Sequence, residues 1–305
     1  MLKPFNGVKM NEDLAIGVIG AGSFVGESAI SALLASEKSV VAFSRDVKDR
    51  KKQDGLVWVE WREGGGQLPR ISTTQCISVV PIWILPLYFP TLENLGVKRI
   101  VALSSTSRFT KVNFSDVAEN NLAKKLVEGE EALKRWADQK GVEWIILRST
   151  LVYGYARDKN ITEIANFIRT FGFFPLLGKA KGLRQPIHVD DVANACVKVL
   201  ETVTVKNNAY NISGKEVLPY KEMIRRIFQA LDQRILFLTI PLMIFKLISR
   251  CIKLLPRYRN WSFAMAQRMN MDLVFGHGDA VRDFGFVARG FNLRRQDVIK
   301  NKKEM

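Results

Sequence analysis

The sequence predicts an α/β fold: a doubly wound parallel sheet with a smaller C-terminal lobe that forms a substrate site. Three observations predict it. Short apolar runs alternate with helical patterns up to about residue 200. A glycine-rich turn joins the first apolar run to the first helix. The 305 residues, 47% of them hydrophobic, are enough for one large domain with an appended lobe.

Leu14 to Ile19 reads as a buried parallel strand. Gly20, Ala21 and Gly22 follow at once, with Gly26 four residues on. The helix from Phe24 places Ala29, Ala32, Leu33 and Leu34 on one side. In this context the glycines let the backbone approach a pyrophosphate. The helix N-terminus offers free N–H groups and a positive dipole end. The cofactor-binding candidates are therefore Gly20, Gly22, Ser23, Phe24, Val25 and Gly26. A second strand, Ser39 to Phe43, ends on Ser44, Arg45 and Asp46. That is close to the ribose-reading position, expected roughly 20 residues beyond the glycines. An acidic residue there suits the 2′-hydroxyl of NAD, an arginine the 2′-phosphate of NADP. Arg45 with Ser44 favours NADP, and Asp46 keeps NAD open.

Further strands are expected at Leu56–Trp61, Cys76–Leu85 and Arg99–Leu103. Residues 76–92 carry no charge, but Pro81, Pro86 and Pro90 interrupt them, so a buried strand followed by an extended loop is expected, not a membrane span. A helix over Asp116–Gln139 and a strand at Trp144–Leu147 come next. Thr150–Gly154 closes a strand, and Ile161–Phe171 is helical. A helix then runs from Asp191 to Leu200, with Asp190 or Asp191 as its cap. Ala209–Ile212 reads as a strand and Tyr220–Leu231 as a helix. The expected division is a nucleotide-binding domain of residues 12–155 with 185–212, and a lobe of residues 156–184 with 213–305.

The net charge of +16 attracts polyanions, yet no nucleic-acid motif accompanies it. Much of the excess lies after residue 240, which argues for a local cause. In residues 235–255, Lys246, Arg250 and Lys253 share one helical face among apolar neighbours, with Thr239 and Pro241 suiting a helix start. Such a helix either lies in a membrane interface, giving peripheral contact through residues 241–255, or packs within the lobe. Three cations argue against a crossing helix. Cys76, Cys196 and Cys251 share no ligand spacing, and two histidines cannot build a polyhistidine metal site, so no metal is expected. Met1 to Glu12 lacks an apolar core, which reads as no signal peptide. Few cysteines and no leader suit a cytoplasmic protein with a possible membrane-facing surface.

The motifs, taken in order, resemble the extended and atypical short-chain dehydrogenases/reductases, the NAD-dependent epimerase/dehydratase family of sugar-nucleotide type. Gly20 to Gly26 (GAGSFVG) is similar to its G-x-x-G-F-[IV]-G, with Ser23 at the second glycine. Val101 to Thr106 (VALSST) resembles its fifth strand with the serine at its end. Leu147 to Gly154 (LRSTLVYG), Arg184 to Ala193 (RQPIHVDDVA) and Asp283 to Phe286 with Arg289 resemble its later motifs. The resemblance spans nearly the whole chain. It implies a Rossmann-type fold, NAD(P) as cofactor, and a nucleotide-activated or lipid-linked sugar as substrate, with surface polysaccharide synthesis as a setting. It adds Pro81 and Ser104 to the cofactor positions. It makes Ser105 the catalytic serine, with Phe109 as the aromatic that follows it. Arg184 is implied to face a substrate diphosphate, with His188 and Arg289, and more weakly Arg282 and Asn160, near the substrate.

One motif departs. The family's acid/base is the tyrosine of Y-x-x-x-K, its pKa lowered by the lysine. No tyrosine lies between Tyr88 and Tyr153. Aligning on Lys124 places Asn120 at the tyrosine position, and aligning on Lys125 places Asn121 there. Aligning on Gly129-Glu130 places Leu122 and Leu126 at the two positions. Three readings follow: a relocated acid, Tyr153 or Tyr155; a proton from Ser105 through water, with Lys124 or Lys125 supplying the field; or a catalytically silent NADP-binding scaffold or redox sensor.

Overall fold

The computed structural model describes residues 15–50, 53–61, 73–110, 117–245 and 267–300. In chain order the strands are β1 (Ile16–Ile19), β2 (Val40–Ser44), β3 (Leu56–Glu60), β4 (Gln75–Ser78), β5 (Arg99–Ser105), β6 (Glu143–Ser149) and β7 (Val152–Tyr153). They continue with β8 (Phe174–Leu177), β9 (Leu183–Arg184), β10 (Ile187–His188), β11 (Asn208–Ile212), β12 (Leu218–Pro219) and β13 (Phe237–Ile240). The helices are α1 (Phe24–Ala35), α2 (Phe89–Asn94), α3 (Ser107–Thr110), α4 (Val117–Lys140), α5 (Ile161–Phe171), α6 (Val189–Glu201) and α7 (Tyr220–Ala230). Two short helices follow, Gly278–Phe284 and Arg295–Val298.

Seven strands form one parallel sheet in the order β11-β6-β5-β4-β1-β2-β3. The order reverses between β1 and β4, so the crevice at that switch point opens beyond the end of β1, where the glycine turn lies. All four residues of β1 are buried, as a strand covered on both faces requires. One apolar layer holds Val18, Leu33 and Val192 with α1 and α6. The other holds Phe43, Leu92, Leu126 and Leu133 with α2 and α4. A third core, with Ile168, Phe174, Met223, Phe228 and Phe291, belongs to the lobe, where β13 pairs in parallel with β8. Tyr153 packs in that third core, although the sequence places it with the nucleotide-binding residues.

Three expectations change. The fourth strand stops at Ser78, and the prolines that follow open a 3-10 turn (Leu85–Tyr88) and α2, not an extended loop. The cap of α6 is His188: its Nδ1 accepts from the Asp190 N–H at 3.2 Å, leaving Asp190 and Asp191 in the first turn. Thr239 lies in β13, and helical backbone begins only at Leu242. The cationic face of Lys246, Arg250 and Lys253 lies outside the described residues, as do Cys251 and the start of the chain. Among the described residues no helix is long and apolar enough to cross a membrane.

Arg99 fastens the amino-terminal edge of the sheet to α6. It is 5% exposed, and its guanidinium donates to the carbonyls of Val199, Leu200, Thr202 and Val205 at 2.7–2.9 Å and to Glu143 at 2.5 Å. The last carbonyls of a helix have no intrahelical donors, so this cation satisfies them and complements the helix dipole. Arg99→Leu should therefore lower unfolding free energy by about 3 kcal/mol or more, because buried acceptors lose their donor. Urea titration measures it, and a loss below about 1 kcal/mol would contradict this role.

Candidate active site

The glycine turn is built for close approach. Gly20 has φ +81°, a left-handed conformation that glycine adopts without strain. A Cβ on Gly26 would stand 2.3 Å from the Gly20 carbonyl oxygen, so only glycine lets α1 start this near β1. Ser23 caps α1, its Oγ accepting from the Gly26 N–H at 3.1 Å. The serine at the family's glycine position is thus a helix cap, which explains its presence. Phe24 and Val25 open α1, and both are half-buried.

Arg50 reaches over this turn, a residue that the sequence reading missed. A Cβ on Gly22 would lie 2.5 Å from an Arg50 guanidinium nitrogen and 2.9 Å from Ser44 Oγ. Arg50 pairs with Glu27 at 2.8 Å and rests 4.7 Å over the Trp58 ring. Arg157 holds the other Glu27 oxygen. Burial pushes the Glu27 carboxyl up, but the bonds to Arg157 and Arg50 prevail and hold it below the usual range. Arg45 and Asp46 are exposed at the end of β2, and Pro81 is exposed beyond β4. The one sequence signal for Arg50 was a second arginine shortly after Arg45, which strand spacing does not bring to the glycines.

At the same carboxyl edge of the sheet, Ser104 and Ser105 end β5. The Ser104 hydroxyl donates to Glu130 at 2.6 Å. Glu130 on α4 has a fully buried side chain and also binds Arg148, at 2.7 Å, and Arg108. Ser105 is half-buried, and its Oγ accepts from the Ser107 N–H at 3.1 Å. Phe109 lies beneath the cluster, with the Arg108 and Arg148 guanidinium carbons each 5.3 Å from its ring.

Helix α4 spans all three alignments of the missing motif. Leu126 is 4% exposed in the core and Leu122 packs against the same cluster, so the alignment on Gly129-Glu130 puts two apolar side chains at the motif's positions. Lys124 is largely exposed and faces Glu128 at 3.7 Å, and Lys125 is exposed too. Asn120 is half-buried and Asn121 exposed. One turn before Leu122, the buried Glu119 reaches a cavity, paired there with Arg268; its other oxygen has no hydrogen-bond partner among the described residues. Sequence alignment passed over Glu119 because it sits outside every Y-x-x-x-K register.

This cavity has a volume of about 890 Å³ and lies between the sheet edge and the lobe. Ser105, Ser149 and Thr150 line its inner end, and Phe167, Phe174 and Tyr220 its lobe side. Arg184 and Asn160 also line it. Arg184 is 4% exposed and donates to the carbonyls of Leu183 at 2.7 Å, Met271 at 2.8 Å and Arg268. Its guanidinium holds the lobe's chain segments together, and burial lowers its pKa to about 10. Asn160 leaves capping to Asp158, which accepts from the N–H groups of Asn160 and Thr162.

The remaining candidates gather apart from the cavity lining. Tyr153 is 1% exposed, edge-on to His188 and Phe291, and burial drives its phenol well above the ordinary range. Tyr155 donates to Asp190 at 2.8 Å; burial and that bond push its pKa up to about 12. A phenol shifted upward is a poor acid near neutral pH. His188 lies between Asp190 and Asp297, each at 3.3 Å. Arg289 pairs with Asp191 at 2.8 Å, and Arg282 is an exposed partner of Asp279 and Asp283. The expected metal-free character was set by composition; among the described residues no group of three or more His, Cys, Asp or Glu side chains is placed to hold an ion.

Residues 91–213 match the NAD dependent epimerase/dehydratase family, in line with the resemblance read from the motifs. No curated protein matches the sequence. Among solved structures, the fold is similar to a UDP-glucuronic acid 4-epimerase from Bacillus cereus in complex with NAD, at a TM-score of 0.69 and 12% identity over 95% of this chain and 97% of that one. It is similar to a dTDP-glucose 4,6-dehydratase from Bacillus anthracis in complex with NAD, at 0.67 and 14% over 93% and 95%. It is also similar to a UDP-glucose 4-epimerase from Thermotoga maritima with UDP-glucose, at 0.65 and 13% over 94% and 96%. At these identities the likeness establishes the Rossmann-type fold.

Two outcomes check the site's electrostatics. Glu130→Leu leaves two arginines facing an apolar side chain and should destabilise by about 3–5 kcal/mol in chemical denaturation; a neutral result would contradict the cluster's role. The Glu27 carboxyl titrates lower in the folded than in the unfolded chain, so its contribution is complete above the unfolded value of 4.5 and disappears as pH falls through the folded one. Glu27→Gln should thus show a shallower loss of stability below that pH than the wild type, and identical acid profiles would contradict it.

Proposed function

We propose that this chain binds NADP at the glycine turn and is an epimerase/dehydratase-like oxidoreductase acting on a nucleotide-activated or lipid-linked sugar, with surface polysaccharide synthesis as its setting. The observation that carries this reading is the cavity, which starts at Ser105 on the sheet edge that also bears the glycine turn and continues along the lobe. The turn fits a dinucleotide, because Gly26 lets the start of α1 pack against the Gly20 and Ala21 backbone and the N-terminus of α1 presents its N–H groups. Arg50, Ser44 and Arg45 would hold a 2′-phosphate. When bound, the nicotinamide would supply a hydride acceptor or donor.

The chain's own residues then have defined tasks in this proposal. Ser105 hydrogen-bonds the substrate oxygen. Glu119, a carboxylate on the cavity wall, takes and returns the proton that the absent tyrosine would handle. The lobe excludes water through Phe167, Phe174 and Tyr220. Lys124, at the surface, has no part in the proton transfer.

A second reading, the silent NADP-binding scaffold or redox sensor, is favoured by the apolar Leu122 and Leu126 on the helix that carries the family's motif. Calorimetry with NADP, NADPH and NAD tests the common ground: no binding of any of the three would refute both readings. Arg50→Ala should weaken NADP by about tenfold or more while changing NAD little. Equal weakening of the two would refute the phosphate role of Arg50.

A further inference from the structure

The cavity's lining discriminates between the two substrate classes left open above. A nucleoside diphosphate is bound most strongly where several cations converge on it. Arg184, where the family resemblance places a diphosphate ligand, gives three of its five N–H donors to the carbonyls of Leu183, Met271 and Arg268 and lies 5.2 Å over the Tyr220 ring. Arg268 is paired with Glu119. Among the described residues lining the cavity, Lys159 is the one further cation, at the exposed rim, and Glu163 on the same rim repels phosphate.

The lobe side is largely apolar. Ile164, Phe167 and Phe171 of α5 line it together with Met223 of α7, Phe174 and Met269. Phe167 contacts Phe171 at 4.6 Å and Phe174 at 5.8 Å, so the aromatic rings form one continuous surface. Its outer end is open: Phe171 is 40% exposed. The polar residues that α5 adds, Glu163, Asn166 and Thr170, are exposed ones at the rim. At the inner end, hydroxyls of Ser105, Thr106 and Thr150 and the carboxylate of Glu119 offer hydrogen bonds.

We infer that the cavity takes an amphiphile: a sugar-sized polar head reaching Ser105 and Glu119, joined to an apolar chain that lies along Phe167 and Phe171 and leaves past Phe171. This rests on the reading of the chain as a cofactor-dependent sugar enzyme and narrows it to the lipid-linked class. Each methylene removed from water against this wall strengthens binding about fourfold.

The test is calorimetric titration with n-alkyl β-D-glucosides of increasing chain length, each below its micelle concentration, alongside UDP-glucose and matched alkyl trimethylammonium salts. The expected result is affinity rising about fourfold per methylene over the first several methylenes. The glucosides should bind more tightly than the ammonium salts, and Phe171→Asp should flatten the dependence on chain length while NADP binding is retained. UDP-glucose binding more tightly than the longest glucoside would overturn the inference. So would ammonium salts binding as well as glucosides, or no saturable glucoside binding by a protein that still binds NADP. If the wild-type protein binds neither NADP nor NAD, the underlying functional reading fails, which the same titrations distinguish.

Discussion

The geometry of the site depends on one buried carboxylate. Glu130 receives the Ser104 hydroxyl and the guanidinium groups of Arg108 and Arg148, and so ties α4 to the ends of β5 and β6 and to α3. A buried carboxylate is costly unless fully paired, so this arrangement has few alternatives. It fixes the rotation of α4 about its axis. Residues 119, 122, 126 and 130 fall on one face at helical spacing. With Glu130 anchored at the sheet edge, Leu122 and Leu126 face the core and Glu119 reaches the cavity. Gly129 permits the close approach, since a Cβ there would lie 2.7 Å from the Trp83 backbone nitrogen.

That constraint gives the altered motif a physical meaning. On α4, Leu122 and Leu126 pack in the core, and the carboxylate one turn earlier, Glu119, lines the cavity. The two serines of β5 have separate tasks. Ser104 serves the Glu130 cluster, and Ser105 borders the cavity. Arg148, in the same motif as Tyr153, likewise serves the cluster and not a ligand.

Much of this was legible in the sequence. The alternation of apolar runs predicts the parallel sheet, and the helix at Ile161–Phe171 matches to the residue, because strong periodicity and burial act together there. The glycine turn is legible because left-handed backbone and close packing demand glycine. What escaped was long-range. His188 as a cap depends on backbone geometry at β10, and aspartate was the obvious local candidate. Arg50 reaches Gly22 across 28 residues, and Arg184 meets carbonyls more than 80 residues away. Motif spacing identifies which residues are unusual but not which partners they meet, and this is why the carbonyls that Arg184 binds in the lobe were not legible, although it does line the cavity.

In the proposed function the glycine turn and the cavity form one site, with the cofactor's reactive end beside Ser105. A crystal structure of the protein soaked with NADP tests it most directly. The expected result is the pyrophosphate on the N-terminus of α1, the 2′-phosphate against Arg50, and the nicotinamide at the mouth of the cavity next to Ser105. A dinucleotide whose nicotinamide points away from that cavity, or none bound at all, would contradict it.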